Sequence, residues 1–148
     1  MKSAERESSA GLRREYEGRL TTLHTARHDV EAWLDERGAD DATKERAVLI
    51  VSELSSNAVQ NSAGRPYTLE VTPLDDDHAA ISIRNHPVDH LPPPREMWRP
   101  ISEVSLKQLS LRGRGLAIVD SLSENLTIEH LGDDVLVTAL LRIVKKPT

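Results

Sequence analysis

The 148-residue chain contains no cysteine and no phenylalanine, and only two tryptophans and two tyrosines. Without cysteine there is no disulfide, no thiolate metal ligand and no thiol switch, a composition compatible with the cytoplasm. So few rings imply an aliphatic core and leave little for stacking nucleic-acid bases. A basic excess is missing too. The formal net charge is −5, where a nucleic-acid binder would show a basic face. Arg13, Arg14 and Arg19 are interspersed with Glu15 and Glu17, so they make only a small mixed patch. No apolar run approaches the about 20 residues that a membrane span needs. The first residues, Met1 to Glu7, are charged and do not read as a secretory signal. The length is that of one domain able to bury one substantial core.

What the chain does have is a long apolar-periodic segment over 41–62. Ala47, Ile50, Val51, Leu54 and Ala58 recur every three or four residues, which predicts a helix with one buried stripe. Glu53 and Asn57 are four apart and therefore stand one turn above the other, with Asn61 a further turn on. A carboxylate and carboxamides beside a core stripe are costly unless something satisfies them. One reading is a helix edge half in water. The other is a magnesium ion with its phosphates and waters, because hard cations take oxygen ligands from such groups.

Around this helix the pattern is mixed. Residues 1–13 are polar and without period and are expected to be a flexible N-terminal segment, leaving 14–148 as a single domain. A short strand is expected over 16–20. A first helix follows, capped by Thr21 or Thr22, burying Leu23, Ala26, Val30, Trp33 and Leu34, and ended by Gly38. Asp40 or Asp41 caps the long helix. Tyr67, Leu69 and Val71 alternate with polar residues and predict a strand with one wet face, and a second strand runs over 79–85. Residues 86–112 carry five prolines without clear period, a length at which a loop is usually functional or disordered. Then come a short helix with Leu116, Val119 and Leu122, a strand over 125–129, and a strand over 135–143. The last is apolar enough to be expected in the middle of a sheet. The sum is an α+β two-layer sandwich, with helices on one face of a mainly antiparallel sheet.

Leu111-Arg112-Gly113-Arg114-Gly115-Leu116-Ala117-Ile118-Val119 opens that short helix. Glycines at a helix start let backbone N–H groups approach phosphate oxygens, and the helix N-terminus favours negative charge. The ordered pair is far more specific than either part. Ser52-Glu53-Leu54-Ser55-Ser56-Asn57-Ala58-Val59-Gln60-Asn61-Ser62 resembles the S-E-L-x-x-N-A-x-x-H-S motif of the GHKL ATPase superfamily, and Gly113 to Val119 resembles its G-R-G-L-x-[IL]-V motif. The similarity is strongest to small anti-sigma-factor serine kinases and their actinobacterial ATP-binding relatives. Ala26-Arg27-His28-Asp29-Val30-Glu31-Ala32-Trp33-Leu34 resembles their first helix, so the likeness spans about residues 14–143.

The resemblance implies a Bergerat fold and a site for ATP or ADP with Mg2+. It makes Asn57 the magnesium ligand and Glu53 the catalytic carboxylate that takes the proton from an attacking hydroxyl. Asn61, Asn85, Arg112, Gly113, Arg114, Gly115 and Leu116 complete the implied nucleotide contacts, with 86–112 as the lid. The implied partners are a sigma factor or other transcription regulator and an anti-sigma-antagonist-like protein, in the cytoplasm, with no direct nucleic acid and no membrane; a homodimer is allowed. Asn61 stands where relatives often have histidine. Asn85 stands where relatives have the aspartate that accepts the adenine amino hydrogen, and no glycine follows in His86-Pro87-Val88-Asp89. A carboxamide oxygen accepts without charge assistance. Two functions therefore stay open, an ATP-dependent serine kinase or a weakly binding pseudo-kinase that regulates a partner by docking alone. His86 and His90 lie among prolines, off any helix, and do not read as a zinc site. His28 reads as a solvent-facing histidine.

Overall fold

The structure, a computed structural model, describes residues 10–87 and 115–147. Five strands form one antiparallel sheet in the order β1-β2-β3-β5-β4, comprising β1 (Leu12–Tyr16), β2 (Tyr67–Asp75), β3 (His78–Asn85), β4 (Asn125–Leu131) and β5 (Asp134–Arg142). Three helices are described, α1 (Thr22–Glu36), α2 (Asp41–Asn61) and α3 (Gly115–Leu122). The expected α+β sandwich is present, with the helices on one face of the sheet.

Alternation along the strands decides which face they cover. Leu69, Val71, Ile81, Ile83, Val137, Ala139 and Leu141 are buried, and their neighbours in sequence are partly or fully exposed. Register aligns the buried set into rows. Leu69 sits opposite Ile83 and Ile83 opposite Val137; one row further, Val71, Ile81, Ala139 and Leu126 follow one another across the sheet. Ala26, Val30 and Leu34 of α1 and Ala47, Ile50, Val51 and Leu54 of α2 close the core from above. Each fully buried leucine or isoleucine contributes on the order of 1.5–3 kcal/mol.

Local chemistry sets the ends of the helices. Asp40 accepts a hydrogen bond from the Thr43 N–H at 2.8 Å, the expected cap of α2. Gly38 adopts φ of 76° just beyond α1, where its N–H and that of Ala39 return to the carbonyls of Asp35 and Leu34.

Two expectations are corrected. The first strand is Leu12–Tyr16 and not 16–20: Tyr16 ends it, and Leu12 and Arg13, placed in the flexible segment, pair with Val71 and Glu70. Neither Thr21 nor Thr22 caps α1. Thr21 is helical with no side-chain cap bond, and the Thr22 hydroxyl lies within bonding distance of the Glu17 and Arg19 carbonyls, at 2.9 and 2.7 Å. Strand β5 lies between β3 and β4, in the interior of the sheet as expected, and is buried on one face, with Leu136, Thr138 and Leu140 half-exposed on the other. The reading of residues 1–9 as flexible and of 88–112 as a lid lies outside the described residues.

Candidate functional site

The second half of α2 lies above the ends of β3 and β5, and the space between them is a cleft. Leu54, Ala58, Ile83, Val135, Val137 and Pro87 give it apolar walls; Asn57, Asn61 and Asn85 are its polar members. Helical spacing explains why three polar residues share a cleft with the core. Asn57 and Asn61 follow Glu53 by one and two turns, along the edge of the stripe that Leu54 and Ala58 bury. Asn85 follows Ile81 and Ile83 on the helix-facing side of β3, two residues apart each time.

Glu53 is half-buried, and burial pushes its carboxyl above the usual carboxylate range. Gly115, the first residue of α3, packs against it. A Cβ built on Gly115 would stand 2.7 Å from Glu53 Oε2, so any side chain there would push into the carboxylate. Glycine lets the start of α3 lie against the Glu53 carboxylate without displacing it. Leu116, expected among the nucleotide contacts, is 3% exposed and sits in the core cluster with Val119, where it anchors α3. Arg112, Gly113 and Arg114 lie outside the described residues.

Asn85 is held from behind. Its Nδ2 donates to Ser62 Oγ at 3.0 Å, and Ser62 Oγ donates to the Ala58 carbonyl one helical turn back. At the cleft rim Asp134 joins two groups of β3 and the segment after it. Arg84 Nε lies 2.8 Å from one carboxylate oxygen and His86 Nδ1 3.1 Å from the other. The Arg84 bond, then that of His86, holds the Asp134 carboxyl below the usual carboxylate range. That clamp fixes the chain where it leaves β3 towards Pro87. Sequence reasoning missed both Ser62 and Asp134, and residue spacing carries no signal for either: their partners lie 23 and 48 or more positions away, on other elements. His28 is exposed, as expected.

The donor set can be compared with what a magnesium nucleotide needs. The apolar walls are chemically compatible with a flat base, and Asn85 offers it a hydrogen-bonding group. Among the described residues no cluster of three or more histidines and carboxylates could hold a metal alone. A magnesium ion here would lean on Asn57, phosphate oxygens and water, as that ion commonly does.

Residues 16–140 match the histidine kinase-like ATPase domain family, and the chain belongs to it. Its fold is similar to that of the RsbU and RsbW domains of Rv1364c from Mycobacterium tuberculosis, with a TM-score of 0.65 and 18% identity over 93% of this chain. The chain spans 34% of that longer protein. It is also similar to a chain of the SiaB–SiaC complex from Pseudomonas aeruginosa, with a TM-score of 0.57 and 14% identity over 96% of both chains. No curated protein matches its sequence. Among the described residues no helix is long and apolar enough to cross a membrane.

Proposed function

We propose that the chain binds ATP with magnesium in this cleft and acts in the cytoplasm as a serine kinase of the anti-sigma type. It would hold a sigma factor or similar regulator and phosphorylate an antagonist protein. The observation that carries this reading is the meeting of Asn57, Asn61 and Asn85 in one cleft, with Glu53 one turn before Asn57 on the same helix and against Gly115 at the start of α3. Family membership supports the nucleotide. The partner half of the proposal draws on the two similar structures, one of which joins an RsbW domain to an RsbU domain, while the other is a two-protein complex.

Bound magnesium would supply charge neutralisation on the phosphates. Asn57 would hold it through the carboxamide oxygen. Asn85 and the apolar walls would seat the base, and Arg112, Gly113 and Arg114 would lie along the phosphates. Glu53, with its raised proton affinity, is suited to accept the proton of a serine hydroxyl placed within hydrogen-bond reach.

A second reading keeps the fold and drops the transfer. The carboxamide of Asn85, where relatives carry aspartate, favours it by weakening the hold on adenine. Incubation with γ-labelled ATP, magnesium and a candidate antagonist separates the two. Label on an antagonist serine supports the kinase. Tight antagonist binding without label, at saturating ATP, supports docking alone.

A further inference from the structure

Asn85 can face a ligand in either of two ways, since its carboxamide carries an acceptor on one side and a donor pair on the other. The hydrogen bonds behind it remove the choice. The Ala58 carbonyl can only accept, so the one hydrogen of the Ser62 hydroxyl is committed to it. Ser62 Oγ therefore has only lone pairs to offer Asn85, and Nδ2 must be the group that faces it, at 3.0 Å. Ser62 is fully buried, so water does not compete for its hydroxyl. The Asn85 oxygen is then the atom left for the cleft that this residue lines.

We infer that Ser62 is a positioning residue that locks Asn85 as an acceptor, so that the cleft selects a purine with an amino group at position 6 over one with an oxo group. The inference rests on the nucleotide reading above and deepens it. A chain without the relatives' aspartate still discriminates adenine, because a neutral side chain has been given a fixed polarity. An oxo group at position 6 would set acceptor against acceptor. Leaving such a group unpaired in a protein site costs more than a good hydrogen bond contributes. Turning the carboxamide to suit the oxo group would break the bond to Ser62 and place two acceptors together there.

ATP and ITP are the probes, since inosine differs from adenosine at the 6 position and in the N1 proton that follows from it. Titrated with magnesium into the full chain, the wild type is expected to prefer ATP by about tenfold or more. Ser62→Ala removes the lock, the carboxamide can turn, and the ATP:ITP ratio should fall towards one while the melting curve stays cooperative. Adding Asn85→Asp to Ser62→Ala should restore the preference, because a carboxylate has no donor side. A merely structural role for Ser62 would weaken both nucleotides together and leave the ratio where it was. An unchanged ratio in Ser62→Ala overturns the role of Ser62 alone, and parity in the wild type overturns it without any variant. If the wild type binds neither nucleotide, the nucleotide reading itself fails and takes this inference with it.

Discussion

The first turns of α2 hold their charges in ion pairs, whereas its second half carries a half-buried carboxylate, Glu53, raised by burial alone. Lys44 bonds Asp35 at 3.0 Å and Asp41 at 3.4 Å. The Lys44 bond holds the Asp35 carboxyl below its ordinary range, the Thr43 N–H does the same for Asp40, and Lys44 is raised in turn. Each of these shifts favours the charged, folded form. Three turns on, Glu53 is raised by burial alone, and Asn57 and Asn61 line a cleft. One helix thus carries a half arranged for stability and a half that holds a carboxylate where folding would not place one. A carboxylate whose charge opposes folding, one turn from a polar cleft, marks a candidate site.

The contrast can be broken at either end. The largest effect is expected from Glu53→Ala, which should lower phosphate transfer by about 10²–10⁴-fold, the usual worth of a general base. Nucleotide affinity should stay near wild type, since Glu53 is assigned to the proton. A single-turnover assay with labelled ATP checks both, and wild-type turnover in the variant would remove Glu53 from the chemistry. Asp40→Ala should do the opposite. Loss of the cap should lower the urea-unfolding midpoint and leave nucleotide affinity untouched. Because the folded carboxyl of Asp40 is depressed, its contribution is full above the unfolded value near ~3.9. It is lost as pH falls through the lower, folded value, so wild type and variant should converge in acid.

Asn85→Asp probes the cleft more gently. A charge-assisted acceptor would tighten ATP by about 1 kcal/mol, but the carboxylate can no longer donate to Ser62, whose hydrogen must leave the Ala58 carbonyl to meet it. The net gain should stay below that figure, and calorimetry on both proteins reads it directly. The smallest effect is a change of sign with pH. Glu53 has a folded value above its unfolded one, so its contribution is present below the unfolded value near ~4.3 and is lost as pH rises through the folded value. Glu53→Gln should therefore melt higher than wild type at neutral pH and equal to it below about pH 4. A variant that melts lower at neutral pH would show that the carboxylate is stabilised by contacts, and the contrast within α2 would collapse.

Most of the scaffold was legible because it rests on local signals. The stripe from Ala47 to Ala58, the Asp40 cap, the Gly38 stop and the alternation from Tyr67 to Val71 each announce their element within one or two turns. β1 was misplaced because its five residues, three of them charged, become a strand only by pairing with β2, more than fifty positions away. β5 reads as a central strand and is one, although Leu136 and Leu140, apolar on its uncovered face, are only half-buried. The site divides the same way. Glu53, Asn57 and Asn61 were visible as one helical line. Their meeting with Asn85 and Gly115, and the hold of Ser62 on Asn85, depend on tertiary contacts that no spacing encodes.

The central claim is that the second half of α2 exists to hold a magnesium nucleotide, and Asn57 is where it is most exposed to test. Calorimetric titration of wild type and Asn57→Ala with ATP, with and without magnesium, measures it directly. The account predicts magnesium-dependent binding in the wild type and its loss in Asn57→Ala, with the thermal melt of both proteins still cooperative. Equal magnesium–ATP affinity in the two proteins would contradict it.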